Sequence, residues 1–169
     1  MQKFIIILIS LCSIYICFLT LIFVFQRNLL YLPSKESIDR SFYSNSNLKK
    51  INISTTDGFI LKSLYKKPKL KEKKTIIVFH GNAGHVGHRV SKFKPFLDNG
   101  YGLLLLEYRG YGENFGKPTE EGLIKDAYAA VQYLFNQNIS PRNIILYGES
   151  LGTGIATRLS TDIAFNAII

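Results

Sequence analysis

Residues 143–160 constrain the fold more than any other stretch of this chain. Asn143 to Tyr147 is a short apolar run, Gly148-Glu149-Ser150-Leu151-Gly152 follows, and Leu151 to about Ser160 reads as a helix. A strand buried on both faces that reverses sharply into a helix belongs in a parallel sheet covered by helices. The two glycines suit that reversal, because a side chain at either would collide with neighbouring backbone. Gly154 and Ala156 are read as keeping the helix small-faced, so that it can lie close to the sheet.

The same alternation runs upstream. Leu48 to Thr55 and Phe59 to Tyr65 read as strands joined at Asp57-Gly58, a hairpin signal. Thr75 to Phe79 and Leu103 to Tyr108 are apolar, β-rich runs. Between them Arg89 to Asn99 reads as a helix with Val90, Phe93, Phe96 and Leu97 on one side, although Pro95 conflicts mildly. Thr119 caps a helix running to about Asn136, with core residues Leu123, Ala127, Ala130, Val131 and Leu134. Ala164 to Ile169 starts a further strand. The expected class is α/β, a mostly parallel sheet flanked by helices.

Phe4 to Phe25 carries no charge and, as a helix, spans roughly 33 Å, against about 30 Å of bilayer hydrocarbon. The run ends Phe-Val-Phe-Gln-Arg without a small-residue cleavage site, so residues 1–25 read as an uncleaved transmembrane signal anchor. The expected localisation is a single-pass membrane protein; Lys3 on one side and Arg27, Lys35 and Arg40 on the other leave the orientation open. Residues 26–47 read as a connector and 48–169 as a partial catalytic domain. Both cysteines, Cys12 and Cys17, sit in the anchor.

The net charge of +9 is concentrated at Lys62, Lys66, Lys67, Lys69, Lys71, Lys73 and Lys74. A solvated connection between strands and an anionic membrane surface both fit that run. Nucleic acid does not, because no stacking aromatics or nucleic-acid motif accompany the lysines.

Gly148-Glu149-Ser150-Leu151-Gly152 is a G-x-S-x-G turn, the elbow that lifts a serine Oγ above the C-terminal edge of a sheet. A serine hydroxyl needs such presentation and a base before it attacks a carbonyl. The oxyanion that forms needs two backbone N–H donors. Leu151, after the nucleophile, supplies one; the other comes from the loop after the earlier strand, His80-Gly81-Asn82-Ala83-Gly84, assigned to Asn82 with Ala83 as fallback. Glu149 is expected to point away from Oγ. His80, His85 and His88 lack zinc-type spacing and a nearby carboxylate, so no metal and no cofactor are expected.

Three ordered segments together, His80-Gly81-Asn82-Ala83-Gly84, Tyr108-Arg109-Gly110-Tyr111-Gly112 and Gly148-Glu149-Ser150-Leu151-Gly152, resemble the membrane-anchored α/β-hydrolases of the bud-emergence type. That group is similar to protein depalmitoylases and to serine-aminopeptidase-like hydrolases. Gln26 to Pro33 also resembles its sequence after the anchor. The resemblance implies Ser150 as nucleophile, the amides of Leu151 and Asn82 as oxyanion donors, and a small-molecule or acylated substrate. Glu107 departs from the Asp or Asn expected there.

A larger departure concerns the triad. After Ser150 the sequence has one carboxylate, Asp162, and no histidine. The expectation is a C-terminally truncated domain, with the Asn143–Tyr147 strand at or near a raw edge and the acid and histidine on absent strands or a complementing polypeptide. In a serine protease the loss of those partners costs about 10⁶ in turnover. Three readings stay open: a membrane-anchored hydrolase of an ester, thioester or amide; an inactive fragment; and a tethered basic binding module.

Overall fold

The computed structural model describes residues 1–70 and 72–169, in two compact units, 1–32 and 33–169. Lys71 of the basic run lies outside the described residues. In the first unit, helix α1 (Gln2–Leu30) buries no residue and has a window of mean hydropathy 2.8. By length and composition it is able to cross a bilayer. It continues beyond the uncharged run, through Arg27, because a basic residue in the last turn suits the helix dipole. It stops at Tyr31, two residues before Pro33; the residue preceding a proline avoids helical backbone.

The second unit is built on a six-stranded sheet: β1 (Lys49–Ser54), β2 (Ile60–Lys66), β3 (Thr75–Phe79), β4 (Gly102–Leu106), β5 (Ile144–Gly148) and β6 (Ala167–Ile168), in the order β1-β2-β4-β3-β5-β6. The β1–β2 hairpin and its junction with β4 are antiparallel, whereas β4, β3, β5 and β6 run parallel. Strand β5 is therefore not at the edge; β6 pairs along its outer side through Ile145–Ala167 and Leu146–Ile168.

Strands β3 and β4 are buried at every residue, as continuous apolar runs in a parallel sheet should be. Ile76, Val78, Leu103 and Leu105 join a core with Val90, Phe93 and Leu97 of helix α2 (Val90–Asp98). Alternate residues turn to the opposite face, where helices α3 (Glu120–Asn136) and α4 (Leu151–Asp162) pack on the sheet and on each other. Burying a leucine or isoleucine side chain contributes roughly 1.5–3 kcal/mol, so these two layers supply most of the driving force.

Phe96, expected in the core, is 38% exposed. Positions 90, 93 and 97 share one helical stripe and 96 falls beside it, so Phe96 packs edge-on against Tyr101 instead. Ala156 is buried as expected, but a Cβ on Gly154 would meet nothing within 4 Å. Gly154 is not what brings α4 close to the sheet.

Candidate active site

The parallel register sets the location of the site. Phe79 pairs with Leu106 on one side and with Gly148 on the other, so three loops leave the same edge of the sheet. They are His80–Gly84, Glu107–Gly116 and the turn at Glu149–Ser150. The order of connections diverges at β3, which places the edge beside a topological switch point.

Ser150 sits at φ 52° and ψ −114°, left-handed backbone that a non-glycine residue rarely adopts. The turn is stitched in place. Glu149 N donates to Phe79 O (2.9 Å), Gly152 N to Glu149 O (2.9 Å) and Thr153 N to Ser150 O (2.9 Å). No room exists for side chains around it: a Cβ on Gly152 would lie 1.9 Å from Phe79 O, and one on Gly148 2.5 Å from the Thr153 Cα. Ser150 itself is exposed. The Glu149 carboxylate pairs with Arg89 and Lys92, each at 3.2 Å; burial pushes it up, but those two cations together outweigh burial and hold it below the usual carboxylate range.

The structure brings the predicted loop to the serine. A Cβ on Gly81 would stand 3.5 Å from the Ser150 Cβ, so the His80–Gly84 backbone passes directly beside it. Leu151 heads α4, where the first N–H groups have no intrahelical acceptor and the dipole favours negative charge. Asn82 is half-buried, and its carbonyl accepts from the Tyr111 hydroxyl at 2.9 Å.

The glycine-rich loop after β4 is anchored by Arg109. Its Nε and Nη2 donate to Asp126 Oδ1 (2.9 and 2.7 Å), its backbone N donates to Asp126 Oδ2 (2.8 Å), and Nη1 reaches Asp57 Oδ2 (2.7 Å). Asp126 lies fully buried on the apolar face of α3, beside Leu123, Ala127 and Ala130. A carboxylate interrupting that face was a readable sign of a buried partner. Hydrogen bonds from Arg109 and then Thr55 hold the Asp57 carboxyl well below its ordinary range. Such a depressed group adds stability above its unfolded value near 4 and loses it as pH falls. Asp57→Asn should therefore lower the melting temperature by about 5 °C at pH 7, and the deficit should shrink below about pH 4. Thermal melts followed by circular dichroism across that range check both the sign and the window.

His80 and Glu107 are both fully buried, with Nε2 and Oε1 3.1 Å apart. His85 is also buried and faces Glu36, whose Oε2 lies 3.5 Å from His85 Nε2 and 3.9 Å from His88 Nε2. The three side chains place ligand-type atoms within 4.8 Å of one another. The sequence offered no signal for this meeting, because Glu36 comes from the distant connector. The donor set suits a cation poorly. His85 Nδ1 accepts the Gly87 N–H at 3.1 Å, which leaves the ring proton on Nε2, the atom a cation would need. Burial, and then His88, lower the pKa of His85, so the ring is neutral at pH 7.

The basic run is partly engaged with its own fold. Lys62 pairs with Glu113 at 2.7 Å, Lys73 lies over the Tyr101 ring, and Lys74 donates to Asn143 Oδ1 and Arg142 O. Asp162 stands at the far end of α4 from Ser150, bonded to Tyr128 and Arg158.

Residues 71–166 match the family model described as serine aminopeptidase, S33. The chain belongs to the serine aminopeptidase S33 family. It is a bem46-like α/β-hydrolase in sequence and fold. Protein bem46 of Schizosaccharomyces pombe is 30% identical over 148 residues, covering 82% of this chain and 50% of that protein. Lysophosphatidylserine lipase ABHD12 of Danio rerio is 39% identical over 97 residues, covering 56% of this chain and 25% of that protein. Among solved structures, the Pyrococcus furiosus esterase Pf2001 superposes with a TM-score of 0.63 at 25% identity, over 80% of this chain and 53% of the esterase. The chain thus spans a quarter to about half of the length of these relatives.

Proposed function

We propose that the protein is a membrane-anchored serine hydrolase that cleaves an ester, thioester or amide bond through an acyl-enzyme on Ser150. The observation that carries this reading is the strained, exposed Ser150 at the reversal between β5 and α4, with the Gly81 backbone against it. In the proposed reaction Ser150 Oγ attacks the substrate carbonyl as its proton passes to a base. The amides of Leu151 and Asn82 hold the oxyanion. The carbonyl re-forms as the alcohol, thiol or amine leaves, and water then releases the acid.

The base is not among the residues that line the turn. His80 and His85 are buried and committed to their own partners, and Asp162 is at the wrong end of α4. The reading assigns the base and its orienting acid to groups outside residues 1–169, on the same polypeptide or a complementing one. Helix α1 serves as the anchor and residues 26–47 as the connector to the catalytic unit. A lipid-like acyl ester is the substrate class favoured, because the fold follows an esterase, a lysophosphatidylserine lipase is among the relatives, and the chain carries a helix long and apolar enough to cross a bilayer.

A fluorophosphonate probe tests the reading on the protein in detergent with the polypeptide that carries the base present. Wild type should be labelled and Ser150→Ala should not. Equal labelling of both would remove Ser150 from the role.

A further inference from the structure

We infer that His80, Glu107 and Tyr111 are positioning residues that fix the peptide planes carrying the Asn82 and Ala83 amides, the candidate donors of the oxyanion pocket. The inference rests on the Ser150 reading proposed above and extends it to groups that never touch substrate.

The argument starts from peptide geometry. In a trans peptide the N–H points opposite to the preceding C=O, so anchoring one carbonyl aims the next amide. His80 Nδ1 lies 2.7 Å from Gly81 O. A carbonyl oxygen only accepts, so Nδ1 carries a proton and the Gly81–Asn82 peptide is pinned from its carbonyl side. The Asn82 N–H is thereby directed away from the imidazole. One residue on, the Tyr111 hydroxyl donates to Asn82 O at 2.9 Å and directs the Ala83 N–H in the same manner. The preceding carbonyl, His80 O, accepts from the Tyr108 hydroxyl at 3.1 Å. Three successive carbonyls of the loop are held by side chains.

Glu107 holds the imidazole. Its Oε1 stands 3.1 Å from His80 Nε2 with both side chains fully buried, so the carboxylate backs the ring on the side opposite to Gly81 O. The second carboxyl oxygen accepts Val86 N at 3.0 Å, so the same side chain ties down the far end of the loop. Gly112 closes over it, with a would-be Cβ 3.0 Å from Oε2. The imidazole is packed against Tyr108 and Tyr111, with ring centroids 4.2 and 5.0 Å away. Its orientation is thus fixed from all sides, as a pre-organised donor pocket requires.

The test uses the protein in detergent with the polypeptide that carries the base present, and two readouts: kcat and KM for a short-chain p-nitrophenyl ester, and the ¹⁵N order parameters of the Asn82 and Ala83 amides. His80→Phe keeps the ring packing and removes the hydrogen bond to Gly81 O and the polar contact with Glu107. It should lower kcat about 10²-fold with KM within about twofold, because the pocket acts on the transition state. The Asn82 order parameter should fall from about 0.85 to below about 0.6. Glu107→Gln keeps the acceptor for Val86 N and the side-chain volume, whereas Glu107→Ala loses both and should lower kcat about tenfold with a mobile Asn82 amide; unchanged values for Glu107→Ala would remove Glu107 from the inference. A His80→Phe protein with wild-type kcat and a rigid Asn82 amide overturns the inference, as does a mobile amide with unchanged kcat. If His80→Phe does not fold, Tyr111→Phe decides: about tenfold lower kcat and a mobile Ala83 amide support it, and unchanged values overturn it. If wild type and Ser150→Ala cleave the ester equally, the serine reading fails by itself. The order parameters then judge the inference alone, with a rigid Asn82 amide in His80→Phe counting against it.

Discussion

Gly152→Ala should severely destabilise the unit formed by residues 33–169. The added methyl would sit 1.9 Å from Phe79 O and 2.5 Å from its carbonyl carbon, both backbone atoms at the end of a central strand. Flexible side chains that could yield are not involved, so relief requires α4 to move off the sheet or β3 to shift against β4 and β5. Ordinary overpacking costs about 1–3 kcal/mol. A contact this close against fixed backbone belongs above that range, at about 4 kcal/mol or more, a large part of the 5–15 kcal/mol that stabilises a domain. The expected readout is a melting temperature lower by more than about 10 °C, with loss of probe labelling. Gly154→Ala, in the same helix, is the control. A Cβ there meets nothing within 4 Å, so the change should stabilise by about 1 kcal/mol through helix propensity alone.

Ser150→Gly should separate stability from chemistry. The serine holds φ 52° at the cost of about 1–3 kcal/mol, strain that glycine does not feel. The variant should therefore melt at a temperature higher by a few degrees while losing fluorophosphonate labelling, because the proposed nucleophile is gone. Ser150→Ala should lose labelling equally without the gain in stability. Equal melting temperatures for all three proteins would show that the turn stores no strain.

Much of the fold was legible because the central strands are five-residue apolar runs buried on both faces, and because the glycines of the elbow have a steric cause. The helix faces were legible where heptad-like spacing was clear, as at Leu123, Ala127 and Leu134, and misread at Phe96, which lies at the margin of its stripe. Ser150 and the His80–Gly84 loop were found separately in the sequence, and the parallel register of β3 and β5 explains why they meet. The same register, Phe79 opposite Leu106, sets His80 beside Glu107, although local patterning said nothing of a pair. The Asp126–Arg109 and Glu36–His85 contacts depend on loops and a connector whose paths no periodicity encodes.

The structure of the protein after reaction with an alkyl fluorophosphonate tests the central claim most directly. Phosphorus should be bonded to Ser150 Oγ, with its oxygen within about 2.7–3.1 Å of the Leu151 and Asn82 amides. Phosphorus on a different residue, or on Ser150 with that oxygen remote from both amides, would contradict the account.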